Sequence, residues 1–174
     1  MIYVGKLTIL TPIFSPTIMI DFNGTSPMIN FKQPSYTTDI SRTCSLQWHN
    51  RMLLIGGSSK TSADVHEVKN CQIETIQKLS FSHYSGMCGV DANEHIYLCF
   101  NYYDGDVCRR ANAPNAVFKL IQKSLHDHAL GSTAMSRNLN DDHMIVLGSR
   151  SSTITELYSI EKNNWRQLAN YPFG

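Results

Sequence analysis

The sequence lacks any uninterrupted apolar run of the ~18 residues that a membrane-spanning helix needs. It also lacks an excess of charge. Fifteen lysines and arginines against 14 aspartates and glutamates leave a formal net charge of +1. Nucleic acids and anionic membranes are recognised through clustered cations, so this balance argues against both as partners, and the missing apolar run argues against membrane insertion by this segment. Helical patterning is missing as well, because no window carries a sustained i, i+3, i+4, i+7 apolar stripe between good caps. There is no G-x-S-x-G, phosphate-binding loop, G-x-G-x-x-G or H-E-x-x-H, and no C-x-x-C. The one adjacent carboxylate pair, Asp141-Asp142, falls in a predicted hairpin turn, where solvation accounts for it. These absences predict a chain with no catalysis of its own, no metal site and no cofactor.

What is present is a folding composition. The 174 residues are 42% hydrophobic and 17% charged, too apolar and too nearly neutral for a disordered chain. A compact chain of this length buries roughly 70% of its unfolded surface. The apolar opening MIYVGKLTILTPIFSPTIMI is broken by Pro12 and Pro16 and has no small-residue cleavage site before Asp21, so it reads as buried strand segments rather than a secretory leader. Asn23-Gly24-Thr25 is a glycosylation acceptor, with Asn23 as the attachment residue. It tilts the compartment, otherwise unknown, slightly toward extracellular over cytoplasmic.

Strand signals fill the rest. Cys44-Ser45-Leu46-Gln47-Trp48 alternates apolar with polar, His49-Asn50 makes a turn, and Arg51 to Ile55 runs apolar into Gly56-Gly57. The unit returns as Gly86 to Val90 with His95 to Phe100, and again as Gly131 to Met135 with His143 to Gly148. The second strands end at Ile55, Cys99 and Leu147, which are 44 and 48 residues apart. Two more strands follow each hairpin: Asp64–Val68 and Gln72–Ile76, Asp106–Arg109 and Ala116–Ile121, Thr153–Ile160 and Trp165–Leu168. Four short strands at a period near 45 predict propeller blades, each needing its neighbours to bury both faces.

An apolar run into paired glycines, then a tyrosine, then a tryptophan at a strand start resembles the kelch repeat. The last unit matches best, with Tyr158 leading through Asn163-Asn164 to Trp165, although its glycine pair has become Gly148-Ser149. The first unit keeps Gly56-Gly57 but has Val68 in the tyrosine position, and the middle unit has Phe100-Asn101 in place of glycines. The resemblance implies an all-β, partial kelch-type propeller of about three four-stranded antiparallel blades, 42–80, 81–125 and 126–174, after a poorly matched lead-in with short strands, 1–41. The cysteine-rich middle and the closing Tyr171-Pro172-Phe173-Gly174 are similar to degenerate kelch regions of large invertebrate proteins, often secreted. Three units cannot close a ring of 4–8 blades. A fragment of a larger protein is therefore expected, with the remaining blades in the same parent chain or self-association covering the open faces.

The five cysteines leave one thiol over. Cys99 and Cys108 fall on neighbouring antiparallel strands, within disulfide reach; the alternative is a pair of buried small apolar residues. Cys71 with Cys88 would join one blade to the next and leave Cys44 as the odd thiol. His126-Asp127-His128 presents two imidazoles on one predicted strand face, and with His83 and Cys88 it can be drawn as a metal site. Yet His83 and His126 fall at equivalent places before successive units, which favours an inter-blade role. Some kelch-type propellers are copper oxidases resembling galactose oxidase, which need a Tyr–Cys crosslink. Tyr97 and Cys99 are close in sequence, but nothing assembles the remaining ligands.

Binding is the expected role. Loops between second and third strands gather on one face of a propeller, here carrying Ser58, Ser59 and Lys60, then Tyr102, Tyr103 and Asp104, then Arg150 and Ser151. Tyrosine and arginine are enriched at interface hot spots. The function expected is therefore protein binding. The alternatives are a fragment of a kelch-propeller copper oxidase and a carbohydrate-binding ectodomain.

Overall fold

The computed structural model describes residues 42–57, 62–69, 73–130, 143–149 and 152–170 with their side chains, and residues 5–9, 17–23, 26–32, 72 and 132–135 as backbone strands. Among the described residues there is no helix. A three-stranded antiparallel meander comes first: β1 (Gly5–Ile9), β2 (Thr17–Asn23) and β3 (Ser26–Lys32). Three four-stranded antiparallel sheets follow. The first comprises β4 (Thr43–Trp48), β5 (Arg51–Gly56), β6 (Asp64–Lys69) and β7 (Gln72–Lys78). The second comprises β8 (Met87–Val90), β9 (Ile96–Cys99), β10 (Cys108–Ala111) and β11 (Lys119–Leu120). The third comprises β12 (Ser132–Met135), β13 (His143–Ser149), β14 (Ser152–Ser159) and β15 (Asn164–Gln167).

Strands within each sheet stand in chain order, and the first strands β4, β8 and β12 lie against one another in turn. That is the arrangement of successive blades about a common axis, so the chain is all-β and part of a β-propeller. The core sits between blades. Leu46, Leu53, Ile55 and Val65 of one blade meet Val90, Ile96 and Leu98 of the next. Tyr97, Cys99, Phe100 and Cys108 then meet Met144, Val146, Tyr158 and Trp165 of the third. Period-two alternation supplies both faces, since residues on one strand point in turn to the preceding and the following blade.

The hairpin ends explain how the middle unit keeps the blade without its glycines. Gly56, Phe100 and Gly148 all take the left-handed backbone, with φ of 81°, 55° and 60°. For a residue with a Cβ this conformation costs roughly 1–2 kcal/mol. Phe100 offsets it by complete burial, with ring contacts to His128 at 5.2 Å and Trp165 at 5.7 Å.

Two strand expectations are corrected. The fourth strand of the middle blade pairs only over Lys119–Leu120, not from Ala116, because a turn closed by the Ala116 amide on the Ala113 carbonyl occupies the preceding residues. Residues 126–128 are not a strand but part of the crossing from the second blade to the third.

Candidate functional site

The loops after β5, β9 and β13 connect second to third strands. The β9–β10 loop is shaped by Asn101, whose Oδ1 accepts the amides of Tyr103 (2.8 Å) and Asp104 (2.9 Å). Its Nδ2 donates to Asp104 Oδ2 at 3.2 Å. Asp104 therefore serves the loop's own closure. This turn throws out Tyr102 and Tyr103, and both meet Tyr84, which sequence reasoning did not single out. The Tyr84–Tyr103 rings stack at 5.6 Å, Tyr84–Tyr102 lie at 5.3 Å, and Tyr102–Tyr103 meet edge-on at 5.2 Å. The Tyr102 amide donates to the Tyr84 carbonyl at 2.9 Å, and Arg42 donates to the Tyr84 hydroxyl at 3.2 Å. Tyr103 remains 52% exposed. Ser58, Ser59, Lys60, Arg150, Ser151 and Cys71 lie outside the described residues. Asn23 closes β2, paired with Ser26, and its side chain is likewise outside them.

Beside Tyr102 opens a cleft of about 450 Å³, lined also by His126, Asp127, Ala129, Leu130, Ser149, Ser152 and Ile154. Behind it is Glu156, a fully buried carboxylate on β14. His126 Nδ1 lies 2.5 Å from Oε1, while the Leu125 amide donates to Oε2 at 3.1 Å. His128, fully buried, holds Nδ1 at 2.8 Å from the Gly148 carbonyl and Nε2 at 3.2 Å from Glu156 Oε2. The two imidazoles that the sequence allowed to be drawn into a metal site thus flank one carboxylate, each nearest its own oxygen, while Cys88 is bonded to Cys44.

The repeat equivalence drawn for His83 and His126 shifts by two residues. His83 and His128 are the matching pair. Both are buried, and the amide of each donates at 2.7 Å to the loop of the preceding blade, at Ser62 and Gly105 respectively. Both stand two residues before a left-handed residue, Ser85 (φ 49°) and Leu130 (φ 59°). Burial pushes the His83 imidazole down to about 4, with a hydrogen bond to the Met87 backbone opposing and the Arg109 charge assisting.

The cysteines pair as Cys44–Cys88, with Cα atoms 5.8 Å apart, and Cys99–Cys108, at 4.0 Å and directly opposite in the β9–β10 register. The Cys71–Cys88 pairing is corrected, and Cys44 is not the odd thiol. Cys44 and Cys88 sit on the adjacent first strands β4 and β8, and Cys71 lies outside the described residues.

On the opposite face, Asp91 organises the β8–β9 turn. Its carboxylate, fully buried, accepts the amides of Asn93 and His95 and the hydroxyl of Tyr97 at 3.1 Å, and meets His95 Nδ1 at 2.9 Å. Burial raises the Tyr97 phenol above its ordinary range. Arg110 is bonded to the same phenol, which raises its own guanidinium, and it lines a cleft of about 590 Å³ with His95, Lys119, Tyr158 and Glu161. Tyr158 and Trp165, cross-strand partners, hold their rings 4.9 Å apart, and the Trp165 indole donates to the Gln122 carbonyl at 2.8 Å. Tyr97 and Cys99 do not fit a copper centre, because the phenol is committed to Asp91 and Arg110 and the sulfur to Cys108.

No protein-family model matches the chain. No curated protein matches it in sequence. Among solved structures, it is similar to a novel fungal alcohol oxidase of the AA5 family, in complex with copper, at TM-score 0.53 and 12% identity, over 69% of this chain. The chain spans 28% of that oxidase's length. At this identity the likeness shows the fold. It also corrects the sequence-based exclusion of catalysis: these blades are of a kind that an oxidase is built from, so missing motifs do not rule an enzyme out.

Proposed function

We propose that the chain is part of a kelch-type propeller whose loop face binds a protein partner. The observation that carries this reading is the stack of Tyr84, Tyr102 and Tyr103, steadied by Arg42 and set beside the 450 Å³ cleft. Tyrosines of this kind offer large, amphipathic contact area at low entropic cost. Further blades of a longer protein, or a second copy, would cover the sheet faces left open. The test is affinity capture with the full chain and with a Tyr102→Ala/Tyr103→Ala variant whose melting matches the parent. A partner held by the parent and weakened by about tenfold or more in the variant is expected, the scale of a hot-spot loss. Partners held equally by both would reject the loop face.

A second reading is favoured by the likeness to the copper-bound oxidase. The chain would then form blades of a longer oxidase whose copper ligands are not the Tyr97 and Cys99 described above. Isothermal titration of the parent protein with copper separates the two readings. A stoichiometric tight site supports the oxidase, and its absence supports the binding module.

A further inference from the structure

Glu156 determines which nitrogen of His126 can meet a ligand. The carboxylate is fully buried and accepts only, so Nδ1 of His126 must carry the proton that it presents to Oε1. In the neutral ring that leaves the lone pair on Nε2. The His126 side chain is 37% exposed and lines the cleft. The lining is therefore mixed. Tyr102, Ala129, Leu130 and Ile154 supply apolar surface, and His126 supplies a hydrogen-bond acceptor oriented by a buried carboxylate.

An apolar body ending in a single donor matches that lining. A phenylalanyl ring would cover the apolar residues and leave Nε2 desolvated without a partner, which costs free energy. A sugar would set hydroxyls against Leu130 and Ile154. A phosphate would face the carboxylate of Asp127, with that of Glu156 behind His126. A phenol meets none of these penalties. We propose that the cleft receives an unphosphorylated tyrosyl side chain of the partner, its ring against Tyr102, Leu130 and Ile154 and its hydroxyl donating to His126 Nε2. Glu156 is a positioning residue that sets the tautomer. This rests on the protein-partner reading and names the group by which that partner is held.

The test uses the full chain and four small probes in an NMR titration: N-acetyl-tyrosinamide, N-acetyl-phenylalaninamide, N-acetyl-phosphotyrosinamide and a methyl glucoside. The tyrosyl probe is expected to shift resonances of residues 126–130 and to bind about tenfold tighter than the phenylalanyl one, as for one hydrogen bond to an otherwise unpaired acceptor. The phosphorylated probe should not bind. His126→Ala, a change at a partly exposed residue, should erase the difference between the first two probes. Glu156→Gln, where it folds, should move the ring proton to Nε2, visible in the imidazole ¹⁵N shifts, and weaken the tyrosyl probe alone. Equal affinity for the tyrosyl and phenylalanyl probes overturns the inference, as does binding of the glucoside alone or silence at residues 126–130. A captured partner lost on Tyr102→Ala, with no response to the tyrosyl probe, sinks this inference and leaves the protein-partner reading standing.

Discussion

His83 and His128 occupy the same place in successive blades and face opposite charges at the same place in the next. Arg109, paired with Leu98 on β9, stands near His83, and Glu156, paired with Val146 on β13, stands 3.2 Å from His128. One blade junction therefore holds a neutral imidazole beside a cation, and the next holds an imidazole beside an anion. The first has a consequence for stability. His83 takes a proton at about 4 when folded and near 6.5 when unfolded. Between those values the unfolded chain binds more protons, so stability falls as the pH drops from about 6.5 toward 4. The full loss is ~3 kcal/mol at 1.36 kcal/mol per unit. Urea denaturation at pH 7 and pH 4.5 should show most of it, and His83→Asn, though less stable at pH 7, should show a flatter dependence. An unchanged pH dependence in that variant would assign the acid sensitivity to other groups.

At the scale of strands, the two cysteine pairs act on different connections. Cys99–Cys108 closes nine residues within one blade, while Cys44–Cys88 closes 44 residues and ties the first strands of two blades. In the loop-entropy account, the longer closure restricts the unfolded chain more, giving about 4 kcal/mol against about 2.5. Cys44→Ala should therefore cost more stability than Cys99→Ala, by about 1.5 kcal/mol in urea titrations on that account. The reverse order would mean that packing around β9 and β10, not chain entropy, dominates. Glycine matters at the crossing segments too. A Cβ on Gly56 would run into the His83 carbonyl and one on Gly105 into the Asp127 carboxylate, so both loops can lie directly on the crossing only because no side chain intervenes.

Across the whole molecule, the third four-stranded blade has two unlike faces. Met144 and Val146 on β13 are buried against the preceding blade, while Ile145 and Leu147, alternating with them, are 36% and 42% exposed. Each of the two internal junctions buries such a face against a neighbour. A free apolar sheet face of this kind invites association. Sedimentation velocity over a concentration series should show the parent chain self-associating, and Ile145→Lys/Leu147→Lys should shift it to monomer with little change in melting. Identical sedimentation of the two would show that this face does not drive assembly.

The strands and their spacing were legible from the residues themselves, because alternation, turn residues and a period near 45 are local or repeated signals. So was the Cys99–Cys108 proximity, which needs only two adjacent strands. The shortened β11 and the two-residue shift from His126 to His128 were not, since single turns there override the strand pattern. Tyr84, Glu156 and the Cys44 partner were hidden for a deeper reason. Each functions across a blade junction, tens of residues from its contacts in the chain, and one sequence carries no signal of such a meeting. What the sequence determined alone was the blade, whose hydrogen bonds are between neighbours in the chain. What the tertiary structure decided was the chemistry between blades, where burial sets which acceptor, proton or sulfur each side chain can reach.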